Sequence, residues 1–195
     1  MPKRVVLTVA LLMVGAFPLG AKEKNVEKPA LRKEILALVE EDQAARDAAI
    51  KSNFDQALWA RVEAADRKST ARMKEIVAKL GWPGVKLVGA DGANGAWLLV
   101  QHADLDVAFQ RECLALLEKA VEAGDASAKD RAYLVDRVAV AEGRKQTYGT
   151  QFGDGMKPQP IEDEAHVDER RKSVGLGTMA EYEKQLLQTY GPPKK

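Results

Sequence analysis

The sequence is poor in the side chains that most often carry recognisable chemistry: one cysteine, Cys113, two histidines, His102 and His166, four serines, and only 6% aromatic residues. A single cysteine excludes an internal disulfide and any cysteine-built zinc site, and two histidines exclude a three-histidine zinc centre. No HExxH occurs, none of Ser52, Ser69, Ser127 and Ser173 lies in a nucleophile-elbow sequence, and Cys113 falls on an apolar helical stripe where a packed thiol is expected. The glycine-rich VGADGANG, residues 88–95, lacks both the Lys-Ser/Thr ending of a P-loop and the spacing of a dinucleotide fingerprint, so it reads as a turn entering a helix. Charge of one sign is also missing. Thirty Lys+Arg against 29 Asp+Glu leave a net charge of +1, which gives no field for holding nucleic acid or anionic lipid.

What is present begins with an address. Lys3 and Arg4 precede an apolar stretch from Val5 to Phe17, and Pro18, Leu19, Gly20 and Ala21 lead into Lys22-Glu23-Lys24. This is the pattern of a Sec-type signal peptide over residues 1–21, and it predicts a secreted or periplasmic protein. These thirteen residues, broken only by Thr8 and Gly15, cover roughly 20 Å as a helix, short of the roughly 30 Å hydrocarbon core, so no membrane span is expected after signal cleavage. Removing Lys3 and Arg4 takes the net charge from +1 to −1. A charged leader, residues 22–29, then precedes a single helical domain over 30–191.

Within that domain apolar residues recur at helical spacing. Leu31, Ile35, Leu38, Ala45 and Ala49 make one stripe; Phe54, Leu58, Val62, Ala65, Met73, Ile76 and Leu80 make a second, opened by Asn53 and closed by Gly81-Trp82-Pro83. A short, almost wholly apolar helix, AWLLVQHA, follows the glycine-rich turn. A fourth helix carries Phe109, Cys113, Leu116 and Leu117, and a fifth runs from Ser127 to Gly143. QTYGTQF and GDGMKPQPI alternate around a Gly-Asp-Gly and predict a small β-hairpin near residues 146–161. The tail returns to helix over 164–174 and again after a Thr178–Glu181 capping box. The expected fold is mainly α, a compact multi-helix bundle with one small β-hairpin.

The informative positions in such a bundle are polar residues on faces that should be buried, because an unpaired charge there costs several kcal/mol. Asp42 interrupts the first stripe with Arg46 one turn on; Asp66 and Ser69 interrupt the second; Gln101 and His102 end the apolar third helix; Asp136 and Arg137 lie inside YLVDRVAV. Gln146, Tyr148 and Gln151 alternate in the expected hairpin. Two readings follow. In one, these groups converge on a polar pocket that binds a small or peptide-like ligand and hydrolyses it by acid/base chemistry. His102, Asp136 and Asp66 are then the catalytic candidates, and Asp42, Arg46, Gln101, Arg137, Gln146, Tyr148 and Gln151 the ligand-binding ones. In the other, the charges neutralise one another locally, Asp42 with Arg46 and Asp136 or Asp66 with Arg137 or Arg72. The protein is then a non-enzymatic interaction module of the cell envelope. HADLD, residues 102–106, fits helix caps as well as a metal site, so no metal is assigned, and no cofactor is specified.

The blocks DQAAR, DRKSTARMKEIVAKLGWPG, LVGADGANGAWLLVQHADLDVAFQ, AYLVDRVAVAEGRKQTYGTQF and PIEDEAHVDERRKSVGL resemble an uncharacterised bacterial family, a domain of unknown function. The resemblance spans roughly residues 31–182. It implies no activity, but its pattern includes Asp42, Arg46, Asp66, Trp82, Gln101, His102, Asp136, Gln146, Tyr148 and Gln151, which overlap the interruptions just described.

Overall fold

The computed structural model describes residues 26–52 and 55–191, so the expected signal peptide, and the leader as far as residue 25, lie outside the described residues. The chain divides into two compact units, one ending at Ser127 and one beginning at Ala128.

In the N-terminal unit Pro29 supplies the fixed φ of a first helical turn and opens α1 (Pro29–Lys51). The next helix, α2 (Gln56–Leu80), is capped by Asp55, whose carboxylate accepts the N–H groups of Ala57 and Leu58 at 2.9 and 3.1 Å. Asn53, the cap expected from sequence, lies outside the described residues. Gly81, at φ 72°, ends α2. Then come α3 (Val85–Gln101) and α4 (Val107–Glu122), the latter capped by the Asp106 carboxylate on the Phe109 N–H at 3.0 Å. Ile35, Met73, Leu99, Cys113 and Leu117 are at most 1% exposed and form this unit's core. Each apolar side chain so buried contributes about 1.5–3 kcal/mol. Burial pushes the Cys113 thiol up to about 12, as befits packing rather than reactivity.

The glycine-rich segment corrects the sequence reading. VGADGANG is part of α3, kinked at Gly89 where φ is 76°. The cause is close helix packing. A Cβ on Gly95 would stand 3.1 Å from Ile35 and Val39 side chains, and one on Gly92 would stand 3.2 Å from Arg32 Cγ. Glycine therefore lets α3 lie against α1. Arg32 fixes the approach, donating from Nε and Nη2 to the two Asp91 oxygens at 2.8 and 2.6 Å.

The C-terminal unit holds α5 (Ala128–Ala141), two 3-10 turns at Asp154–Met156 and Glu164–His166, α6 (Val167–Ser173) and α7 (Met179–Tyr190). The Thr178–Glu181 capping box opens α7 as the sequence indicates. The β-hairpin does not form. Among the described residues only isolated bridges occur, Gln146 with Ile161 and Phe152 with Pro158. Pro158 and Pro160 remove two ladder donors, and side chains take the ladder's place. Gln146 donates from Nε2 to the carbonyls of Gln151 and Gln159 at 3.0 and 2.8 Å, and its Oε1 accepts the Gln151 N–H at 2.8 Å. Among the described residues no helix is long and apolar enough to cross a membrane.

Candidate functional site

Three helices of the N-terminal unit bring four of the predicted residues together. The i, i+4 spacing puts Asp42 and Arg46 on one face of α1; Asp66 comes from α2; His102 stands at the C-cap of α3. His102 Nδ1 lies 3.0 and 3.2 Å from the two Asp42 oxygens. Arg46 Nε donates to Asp42 Oδ1 at 3.1 Å, and its Nη2 donates to Asp66 Oδ1, so one guanidinium joins both carboxylates. Gln43 Nε2 adds a bond to Asp42 Oδ2 at 2.5 Å. The cluster is graded in depth. Asp42 and His102 are 1% and 3% exposed, whereas the Asp66 and Arg46 side chains keep 16% and 19%.

That gradient separates the proton affinities of the carboxyls. Burial pushes Asp42 up, but the hydrogen bond and charge of His102, with Arg46 beside it, outweigh burial and hold it well below the usual carboxylate range. Burial raises Asp66 to about 7, and repulsion from Asp42 adds to the rise against the pull of Arg46. An ionised Asp42 can only accept, so the ring proton that faces it sits on His102 Nδ1.

The same groups are the ones able to hold a cation. One ligand atom each from Asp42, Asp66 and His102 lie within 4.8 Å of one another, a fit for a divalent ion. Arg46 already places a positive charge between the two carboxylates, so a metal would have to displace it.

Gln101 does not join the cluster. It is fully buried, and neither of its amide atoms has a hydrogen-bond partner among the described residues. The end of α3 that carries it is secured by Gln110, whose Nε2 donates to the carbonyls of Val100 and Gln101 and to Asp104 Oδ1, each at 3.2 Å. The sequence reading missed Gln110 and Gln43. Gln110 could have been found as a polar residue beside Phe109 on a buried helix; Gln43 gives no periodic signal.

The remaining predicted residues belong to the C-terminal unit. Asp136, fully buried on α5, accepts the N–H groups of Thr147 at 2.7 Å, Tyr148 at 3.0 Å and Thr150 at 2.9 Å, and the Thr150 hydroxyl at 2.9 Å. Burial raises its carboxyl while these bonds pull the other way. Arg137 Nη1 donates to Gln151 Oε1 at 3.3 Å, Gln151 Nε2 donates to Thr150 Oγ1 at 2.8 Å, and the Tyr148 hydroxyl accepts from Arg131 at 3.2 Å. The expected pairing of Asp66 with Arg72 is replaced by another: Asp66 pairs with Arg46, and Arg72 with Glu34 and Glu75.

These features define an all-helical protein with a buried carboxylate, imidazole and guanidinium cluster in its N-terminal unit. Over residues 29–195 the chain matches the model of a family of unknown function, DUF6624, and it belongs to that family. No curated protein and no solved structure matches it.

Proposed function

We propose that the N-terminal unit carries an acid/base site that hydrolyses a small or peptide-like ligand, in a protein exported by the signal at residues 1–21. The observation that carries this reading is the split between two adjoining carboxyls. Asp42 is held ionised against His102, and Asp66 is protonated near neutrality. Such divergent pairs assign a base side and an acid side. Asp42 fixes the imidazole so that Nε2 takes a proton from water; the water oxygen bonds to the carbonyl carbon, and Asp66 returns a proton to the leaving group as its bond breaks. Arg46, at the more exposed edge, meets an anionic group of the ligand. Asp136 lies outside this chemistry in our reading, because its oxygens are taken up by the 147–150 amides.

The second reading, a purely structural ion-pair network in an envelope interaction module, draws on the internal pairing of Arg46 with both carboxylates. A panel of p-nitrophenyl esters and peptidyl p-nitroanilides separates the two. Turnover that His102→Gln and Asp66→Asn abolish, with near-UV circular dichroism unchanged, supports the site. A silent panel together with variants that only lose stability leaves the structural network. The mass of the exported chain checks cleavage after Ala21.

A further inference from the structure

A cavity of about 450 Å³ in the C-terminal unit has Tyr133 of α5, Arg171 of α6, the Leu176–Gly177 turn and Lys184 of α7 among its walls. Arg171 is only 1% exposed. Its guanidinium meets neutral groups alone: Nε donates to the Gly177 carbonyl at 2.6 Å, Nη1 donates to the Tyr148 carbonyl at 2.7 Å, and the Tyr182 ring centre lies 5.1 Å away. No described carboxylate forms an ion pair with it, and Nη2 has no acceptor among the described residues. By contrast Arg32, Arg46 and Arg72 each meet a carboxylate. A buried cation with no direct ion pair is costly: burial pulls the Arg171 pKa down, and the Tyr133 and Tyr182 phenols and the more distant Asp168 and Asp136 carboxylates offset this only in part. The cavity supplies room for an anion in direct contact, which neither carboxylate provides. Lys184 adds a second positive group at the exposed rim, and Tyr133 and Leu176 add apolar surface. One charge opposes: the Glu181 carboxylate also lines the cavity, while its Oε2 accepts the Thr178 N–H at 2.8 Å in the capping box.

We infer that this cavity binds a small organic anion, its carboxylate or phosphate group held by the Nη side of Arg171 with Lys184 beside it, and its apolar part against Tyr133 and Leu176. The shape of the guanidinium suits both oxyanions, since its unused N–H groups form a fork that accepts two oxygens at once. The site shares no residue with the Asp42 cluster and stands or falls separately from the hydrolytic reading.

The test follows the Arg171 Nε–Hε resonance of the protein by NMR during titration with benzoate, inorganic phosphate or sodium chloride at matched ionic strength. A saturable shift with benzoate or phosphate and none with chloride is expected, and the two arms tell a carboxylate ligand from a phosphate. Because Arg171→Gln removes bonds to two loops, the exposed rim carries the discrimination. Lys184→Gln should weaken binding about two- to fivefold. Glu181→Gln, which keeps a residue type the capping box accepts, should tighten it by a similar factor. Shifts that chloride reproduces, or dissociation constants that neither rim variant moves, would overturn the inference.

Discussion

Asp66→Asn should stabilise the N-terminal unit most at alkaline pH, less at about pH 5, and leave it nearly unchanged only below about pH 4. In the folded chain the Asp66 carboxyl is raised from 3.8 to about 7, chiefly by burial. Between these values the folded state holds a proton that the unfolded state has released. Stability therefore falls as pH rises through this window, and the loss is complete above about pH 7. A carboxyl raised that far sets an upper limit of about 4 kcal/mol on the loss. Asp42 and Asp66 share a hydrogen bond and titrate as a pair, so the expected gain of the asparagine variant at pH 8.5 is about 1–4 kcal/mol. Asparagine keeps the shape and neutrality of the protonated acid and cannot ionise. Asp42, held well below the usual range, is charged throughout the interval in both chains and largely cancels. Trp59, Trp82 and Trp97 all fall in the N-terminal unit and none in the other, so urea titrations followed by tryptophan fluorescence report this unit alone. A difference between the two chains that stays constant from pH 5 to 8.5, or a variant less stable than the parent at pH 8.5, would refute the reasoning.

Arg46→Met leaves Asp42, Asp66 and His102 without their internal cation, so calorimetric titration with Zn²⁺ or Mn²⁺ should show at least about tenfold tighter binding than in the parent chain. Asp136→Ala strips three buried amides and a hydroxyl of their acceptor and should cost about 3–5 kcal/mol. Hydrogen exchange at Thr147, Tyr148 and Thr150 should accelerate accordingly. Gly149→Ala places a Cβ 2.6 Å from Met179 Sδ at a φ of +68° and should cost about 1–3 kcal/mol, read as a lowered melting temperature of the C-terminal unit.

Much of the helical order is legible from periodicity and caps, because amphipathic stripes and the Thr178–Glu181 box are local signals. The two departures have a common cause. Glycine disfavours helix by about 1 kcal/mol per residue, so VGADGANG reads as a loop, yet the missing Cβ atoms are what allow α3 to pack on α1. Alternation in QTYGTQ reads as a strand, yet Gln146 and Thr150 point inward to make side-chain bonds. In both places tertiary contact overrides local preference. Of the candidate site, the pairing of Asp42 with Arg46 follows from i, i+4 spacing on one helix. That Asp66, 20 residues further along, accepts the same guanidinium depends on how α1 and α2 meet.

Asp42 and Asp136 give the same sequence signal, an acid inside an apolar helical run, and the structure gives them different surroundings. What differs is the chemistry of the donors. Asp136 is met by backbone amides and a hydroxyl, none of which changes charge in the physiological range, and its bonds tie the 147–150 loop to α5. Asp42 is met by an imidazole and a guanidinium, with a second carboxyl in hydrogen-bond reach whose affinity for protons lies near neutrality. A proton added or removed there redistributes charge across groups from three helices. Fixing a loop needs only acceptors, and amides suffice. Three ionisable partners around one buried carboxylate exceed what register alone requires, and that excess is the physical ground for seeking the reaction at Asp42 rather than at Asp136.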